Sequence, residues 1–169
     1  MQKKAFLGKI VALSDRMDKI VMWTGAVLLA LMTIDILVAV FFRYVLESTL
    51  VWSEELARYM MIWMACLAMS HGIKKAEHLT IRFLVDALPL EMAFWLDMFI
   101  RFFLLIFLLV LTIYGVGLVV ANTDFTSQAT EVNMAIPTSA VPIAGSLMIV
   151  QLIISTLLKF GERRKDEGA

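Results

Sequence analysis

The chain is short of the residues that staple, ligate or catalyse: among 169 residues it has one cysteine, two histidines and three prolines. A single cysteine excludes an internal disulfide, and Cys66 sits inside an apolar run, where a thiol is inert packing. There is no G-x-x-x-x-G-K-[ST] phosphate loop, no G-x-G-x-x-G, no H-E-x-x-H and no cysteine pair. Nothing therefore points to ATP hydrolysis, a catalytic residue, a cofactor or a bound metal. The histidines, His71 and His78, lie near one end of the same apolar run, whereas a bis-histidine haem needs ligands from facing helices. Net charge is also missing, since 15 Lys and Arg balance 15 Asp and Glu. The total gives no reason to expect nucleic acid, and only the distribution of charge informs.

What the chain has in excess is apolar side chain. It is 61% hydrophobic with twelve methionines and eleven phenylalanines, at a mean hydropathy of +0.85, which is more than one soluble core of this size can hide. The expected fold is all-α and integral to the membrane, a single membrane domain over residues 1–169. Four transmembrane helices are predicted, at about 20–42, 53–73, 98–121 and 139–159. At about 1.5 Å per residue each can cross roughly 30 Å of hydrocarbon. The third helix is expected to begin earlier than its span, near Glu91 after Pro89. For the fourth, Pro137 marks the start, Ser139 is the expected N-cap, Pro142 falls in the first turn where its missing N–H breaks no helical bond, and Gly161 is the expected end. Two stretches read as interfacial amphipathic segments: 1–19, with Phe6, Ile10, Leu13 and Met17 beside lysines, and 74–90, where Leu79, Phe83 and Leu84 mix with basic residues. The tail ERRKDEGA reads as a solvated end.

Lys and Arg resist translocation, so their placement predicts orientation. Lys3, Lys4, Lys9, Arg16 and Lys19 precede the first span, Lys74, Lys75 and Arg82 follow the second, and Lys159, Arg163, Arg164 and Lys165 follow the fourth. The connection from Ala121 to Pro137 has none, and the one after the first span has only Arg43 at its edge. Both termini are expected inside, N-in and C-in. The first apolar run is longer than a signal peptide's and no A-x-A-like site follows it, so it reads as an uncleaved anchor.

The stretch VWSEELARYMMIWM places Glu54, Glu55 and Arg58 at the outer mouth of the second span. Ser53 is the expected cap and the two glutamates fall where the helix dipole favours anions. Arg58 follows them at i+4 and i+3, on their face. An interfacial anchor flanked by Trp52, Tyr59 and Trp63 explains the cluster; an assembly or docking element also does. Asp35, a lone carboxylate within the first span, normally needs a partner, and contact with Arg58 is the expected one. Asp97 and Arg101, another i, i+4 pair, read as an interfacial brace. Helix breaks of the kind that form transporter substrate sites are missing. Small residues four apart, Ala26 with Ala30, Ala68 with Gly72, and Ala140 with Ala144, permit close helix contacts.

The run from Phe41 to Pro89 resembles the small membrane subunit (Q, DctQ-like) of the tripartite ATP-independent periplasmic (TRAP) transporters. The matching residues are Arg43 and Tyr44 after the first span, Trp52 to Tyr59 as W-S-E-E-L-A-R-Y, Lys74 and Lys75, the Glu77 and His78 pair, and Leu88 with Pro89. MAIPTSAVP, from Met134 to Pro142, is similar to the Ile-Pro start of the family's last helix. One departure is the absence of a mid-span glycine before Gly72.

The resemblance implies a small permease subunit in the bacterial inner membrane, multi-pass, with a large TRAP membrane subunit, a periplasmic substrate-binding protein and membrane lipids as partners. It implies a scaffolding role in sodium-driven uptake of an organic acid such as sialic acid or a dicarboxylate, with Arg43, Tyr44, Trp52, Ser53, Glu54, Glu55, Arg58, Glu77 and His78 as assembly candidates. Glu47, Asp124 and Glu131 in the outer connections are placed to meet the periplasmic protein. The residues leave open a self-sufficient proton-coupled exporter using Asp35, or a membrane assembly protein outside transport.

Overall fold

The computed structural model describes the backbone of residues 2–79 and 90–166 and the side chains of residues 11–74 and 92–159. The chain forms α1 (Gln2–Val45), α2 (Val51–Leu79), α3 (Leu90–Ala121), the single turn α4 (Ala135–Thr138) and α5 (Ala140–Asp166). Among the described residues the only β feature is an isolated antiparallel bridge between Thr126 and Asn133. Among the described residues three stretches are long and apolar enough to cross a membrane: Val11–Val45, Met92–Ala121 and Ala135–Lys159. The chain is thus an all-helical, multi-pass membrane protein. α2 falls outside that set despite its 29 residues, because Glu54, Glu55 and Arg58 at one end and His71, Lys74 and Lys75 at the other shorten its apolar middle.

α1 runs for 44 residues without interruption, about 66 Å at the helical rise, roughly twice the hydrocarbon thickness. Residues 2–19 therefore share one unbroken helix with the first predicted span. The 74–90 segment likewise begins as the last turns of α2, while residues 80–89, with Arg82, Phe83, Leu84, Leu88 and Pro89, lie outside the described residues.

The covered positions of α1 are Ser14, Asp18, Val21, Gly25, Leu28, Met32, Asp35, Ala39 and Phe42, with Met17 beside them. They alternate by four and three residues, the spacing of a coiled-coil seam. α2 lies along that seam, antiparallel to α1, and makes a second interface with α5. α3 closes the bundle from the far side of α5. The core between α2, α3 and α5 holds Cys66, Leu108, Ala140, Ala144, Met148 and Leu152. Burying such side chains contributes about 25 cal/mol per Å² of apolar area.

Close approach of α3 and α5 depends on two glycines. A Cβ at Gly115 would stand 3.2 Å from Pro142 Cδ, and one at Gly145 would collide with Thr112 Oγ1. Ala140 and Ala144, each 1% exposed, complete the contact expected of them. Ala26, Ala30, Ala68 and Gly72 are exposed instead.

Two boundaries differ from expectation. α5 passes through Gly161 to Asp166: one glycine costs a helix only about 1 kcal/mol, and the charged residues after it are good helix formers. Ser139 is not an N-cap, since it has helical φ and ψ and its hydroxyl donates back to the Ile136 carbonyl at 2.6 Å. Met134 stands at the N-cap of α4 without a side-chain cap, and Asn133 Oδ1, one residue earlier, accepts the Ala135 N–H at 2.8 Å.

Candidate functional site

The bundle has two ends. The loop end carries the 46–50 and 122–134 connections; the terminal end carries both chain termini. At the loop end, α1 closes as the N–H groups of Leu46 and Ser48 return to the Phe42 carbonyl and Glu47 takes a left-handed φ of 51°. Five residues after Leu46, α2 begins at Val51, so Ser53 sits inside its first turn and does not precede it.

That register turns Ser53 to another task. It is 2% exposed, and its Oγ donates to Asp35 Oδ2 at 2.9 Å, across the seam between α1 and α2. Asp35 thus finds its partner in Ser53 and not in Arg58. The antiparallel seam sets Ser53 opposite Asp35, while Arg58 lies on a different face and is exposed. Among the described residues Arg58 has no ion pair or hydrogen bond.

The two glutamates also part company. Glu54 is exposed. Glu55, one step of about 100° further round the helix, meets the 122–134 segment. One oxygen, Oε2, accepts a short hydrogen bond from Ser127 Oγ, the N–H groups of Ala129 at 3.3 Å and Thr130 at 3.1 Å, and Thr130 Oγ1 at 3.1 Å. A carboxylate suits this site, because donors converging on one oxygen are matched by full negative charge. One turn deeper, Tyr59 donates its hydroxyl to the Met134 sulfur at 3.5 Å.

The segment is prepared to meet Glu55. Ser127 N–H donates to Val132 and Met134 N–H to Phe125, flanking the Thr126 and Asn133 bridge. Asn133 Nδ2 donates to the Thr123 carbonyl at 2.6 Å, and Glu131 turns the chain with a φ of 55°. W-S-E-E-L-A-R-Y is therefore a three-way tie: Ser53 to α1, Glu55 and Tyr59 to the connection before α5, and Glu54 and Arg58 outward. Arg43, Tyr44 and Trp52 are exposed around the same end. Glu77 and His78 fall in the last turns of α2, and their side chains lie outside the described residues.

At the terminal end two clusters brace the helices. Asp97 Oδ2 accepts from Arg101 Nε and from Lys159 Nζ, each at 2.7 Å. Arg101 Nη1 also reaches Ser155 Oγ at 2.5 Å and Thr156 Oγ1 at 3.3 Å. The i, i+4 pair read from the sequence is thus the α3 half of an α3–α5 brace. The second cluster joins α1 to α2: His71 Nδ1 meets Asp18 Oδ1 at 2.6 Å, and Lys74 Nζ meets Asp15 Oδ1 at 2.7 Å and Asp18 Oδ2 at 3.6 Å.

Sequence reasoning passed over this second cluster and Gln151. The 3.5-residue spacing of Ser14, Asp18, Asp35 and Phe42 was the available signal, since it puts both aspartates on the face that α2 covers. Gln151 is 2% exposed with neither amide atom hydrogen bonded among the described residues. Those residues contain no group of His, Cys, Asp or Glu suited to a metal. In chemical terms the ionic groups facing the bundle interior brace helices.

Comparison with known proteins gives this architecture a family. Residues 32–161 match the DctQ component of the tripartite ATP-independent periplasmic transporters, an interval that includes Asp35, the three-way tie, the connection before α5 and both halves of the Asp97 brace. The chain is also similar to the sialic acid TRAP transporter permease protein of Haemophilus influenzae, 25% identical over 99 residues. That match takes in 59% of this chain and only 16% of the length of that relative. With most of the bundle inside the family match, the chain belongs to the DctQ component of the TRAP transporters.

Proposed function

We propose that the chain is the small permease subunit of a TRAP-type secondary transporter, scaffolding a large membrane subunit in sodium-driven, binding-protein-dependent uptake of an organic acid. In this reading it sits in the bacterial inner membrane with four spans, α2 being the fourth, and both termini in the cytoplasm. The loop end with its Glu55 tie then faces the periplasm. The observation that carries the reading is the family match across residues 32–161.

Three features support a scaffold. The polar groups of the seams and braces are used between helices, as in Asp35 with Ser53 and Asp97 with Arg101 and Lys159. Lys74 and Lys159 stand at the terminal end, away from the loop end, as a cytoplasmic face requires. α2 is too polar to face lipid on every side, and protein neighbours satisfy that. The named relative gives sialic acid as one member of the solute class, and an acidic sugar or a dicarboxylate is the proposed range.

The test is a mild-detergent pull-down of the chain at native expression, with mass spectrometry of what co-purifies in stoichiometric amount. One large multi-span protein is expected. Recovery of the chain alone, or only with copies of itself, would overturn the reading and return attention to Asp35 as the carboxylate of a self-sufficient exporter.

A further inference from the structure

α2 presents three faces, and two are occupied. Ser53, Met60, Met64, Leu67 and His71 lie on the face toward α1; Glu55, Tyr59, Ile62, Cys66 and Ser70 lie on the face toward α5 and its preceding connection. On the third face every position is exposed: Glu54, Arg58, Met61, Ala65, Ala68 and Gly72. These are spaced by four and three residues in strict alternation, the same seam spacing with which α1 meets α2.

The chemistry of this face differs from that of the exposed faces of α1, which show Ile20, Trp23, Val27, Leu31 and Ile34, and of α3. α3 shows Phe99, Phe102, Phe103, Ile106, Phe107 and Val110, large side chains that acyl chains solvate well. The third face of α2 offers two alanines and a glycine at membrane depth, beside which nothing stands: a Cβ added to Gly72 would meet no atom within 4 Å. Within a bilayer, lipid is as apolar as leucine, so small side chains gain from another helix brought close and not from lipid. At the loop end of the same face stand Glu54 and Arg58, two charged side chains not joined to each other, with donors and acceptors unused among the described residues. The face continues into an open groove of about 410 Å³ between α1 and α2, lined by Arg43, Tyr44, Thr49, Glu54 and Ala57 among others.

The geometry points to this third face of α2 as the surface against which a transmembrane helix of the large membrane subunit packs, with small residues in the membrane and Glu54, Arg58 and Arg43 as polar partners at the loop end. The inference rests on the subunit reading proposed above. Two observations select this occupant. Among the described residues α2 is the long helix that falls outside the set long and apolar enough to cross a membrane, its ends carrying Glu54, Glu55, Arg58, His71 and Lys74, and its two other faces are already covered within the chain. In addition, the TRAP permease relative extends far beyond the region this chain matches, which is 16% of its length. A partner corresponding to the remainder of that relative is large enough to contribute a membrane helix to this face.

The test uses the full chain co-expressed with its large subunit. A photo-reactive benzoylphenylalanine is placed singly at Ala65 and Ala68, and at Ile106 and Val110 of α3 for comparison. Adducts of the large subunit's mass are expected from the α2 positions and not from the α3 positions. Ala68→Trp should reduce recovered large subunit about tenfold or more, because an indole forced into a close helix contact holds the helices apart. Ile106→Trp should leave recovery unchanged, and size exclusion of Ala68→Trp expressed alone reports whether that variant still folds. Adducts only to lipid or to a second copy of the chain, adducts only from α3, or full recovery with Ala68→Trp would overturn the inference. If the unmodified chain itself recovers no large subunit, the subunit reading fails as a whole; if it does while the α2 face gives no adduct, this inference alone fails.

Discussion

Glu55 on α2 and Ser127, 72 residues further along the chain, are joined carboxylate to hydroxyl, and the same carboxylate oxygen gathers the N–H groups of Ala129 and Thr130. One side chain therefore holds the connection between α3 and α5 against α2. Glu55→Ala removes the acceptor, and amide exchange at Ala129 and Thr130 should rise while α3 and α5 stay protected. Glu55→Gln keeps one carbonyl oxygen and should fall between. If hydrogen exchange measured by mass spectrometry over 123–134 does not change in the alanine variant, the tie does not order the segment. If the segment receives the periplasmic protein, uptake falls in the same order while assembly persists.

Asp35 and Ser53 give a second test, directed at what a carboxylate inside the membrane is for. Asp35→Asn retains an oxygen to accept the Ser53 hydroxyl and removes a charge that costs roughly 2.5–3.5 kcal/mol near the bilayer centre. The melting temperature of the purified chain should hold or rise, and uptake by the assembled system should persist. Asp35→Leu leaves a nearly fully buried hydroxyl without its partner and should cost about 1–3 kcal/mol. Loss of uptake in Asp35→Asn with normal assembly would make Asp35 a proton-carrying group, as the exporter reading requires.

The particular residues show which kinds of structure were legible in the chain. The Asp97 and Arg101 pair and the Ala140 and Ala144 spacing are local properties, and each forms as its spacing implies; of the four apolar runs, three form helices long and apolar enough to cross a membrane among the described residues. The partners of Asp35 and Glu55 were not legible, because they depend on which residues an antiparallel neighbour sets opposite. Depth in the membrane alone pairs Arg58 with Asp35, yet rotation about the helix axis places Arg58 on a different face. Residue type alone makes Ser53 and Ser139 caps, but a cap also requires the helix to start at that residue, and α2 starts at Val51. The length of α1 is not legible for a related reason: lysines and aspartates in its N-terminal part signal an interface, but they do not stop a helix.

Asp97 accepts from both Arg101 and Lys159 at 2.7 Å, so its removal leaves two cations facing each other between α3 and α5. Asp97→Ala should destabilise the chain by about 1–3 kcal/mol, between the values for exposed and fully buried pairs. Lys159→Ala should cost less, since Lys159 is the more exposed partner and Arg101 remains to pair with Asp97. A combined Asp97→Ala and Lys159→Ala variant should recover part of the loss by removing one uncompensated charge. Thermal unfolding in detergent measures all three, and equal effects of the two single changes would mean that Asp97 is no hub.

Gly145 and Thr112 set how near α5 comes to α3. A methyl group at Gly145 would overlap Thr112 Oγ1, while the next atom, Thr112 Cβ, stands at 3.5 Å, an ordinary contact. Gly145→Ala should therefore destabilise the chain by about 1–3 kcal/mol through overpacking, against a small intrinsic gain for alanine over glycine in a helix. Thr112→Ala removes the obstructing oxygen and also the hydrogen bond from Thr112 Oγ1 to the Leu108 carbonyl, a bond made within one helix. Joined to Gly145→Ala it should restore stability to that of Thr112→Ala alone or above. Gly117→Ala, whose methyl would meet nothing within 4 Å, serves as the control and should be neutral or slightly stabilising. A double variant no better than Gly145→Ala would place the constraint in the helix backbones themselves, and the spacing of α3 and α5 would not then be governed by the Thr112 side chain.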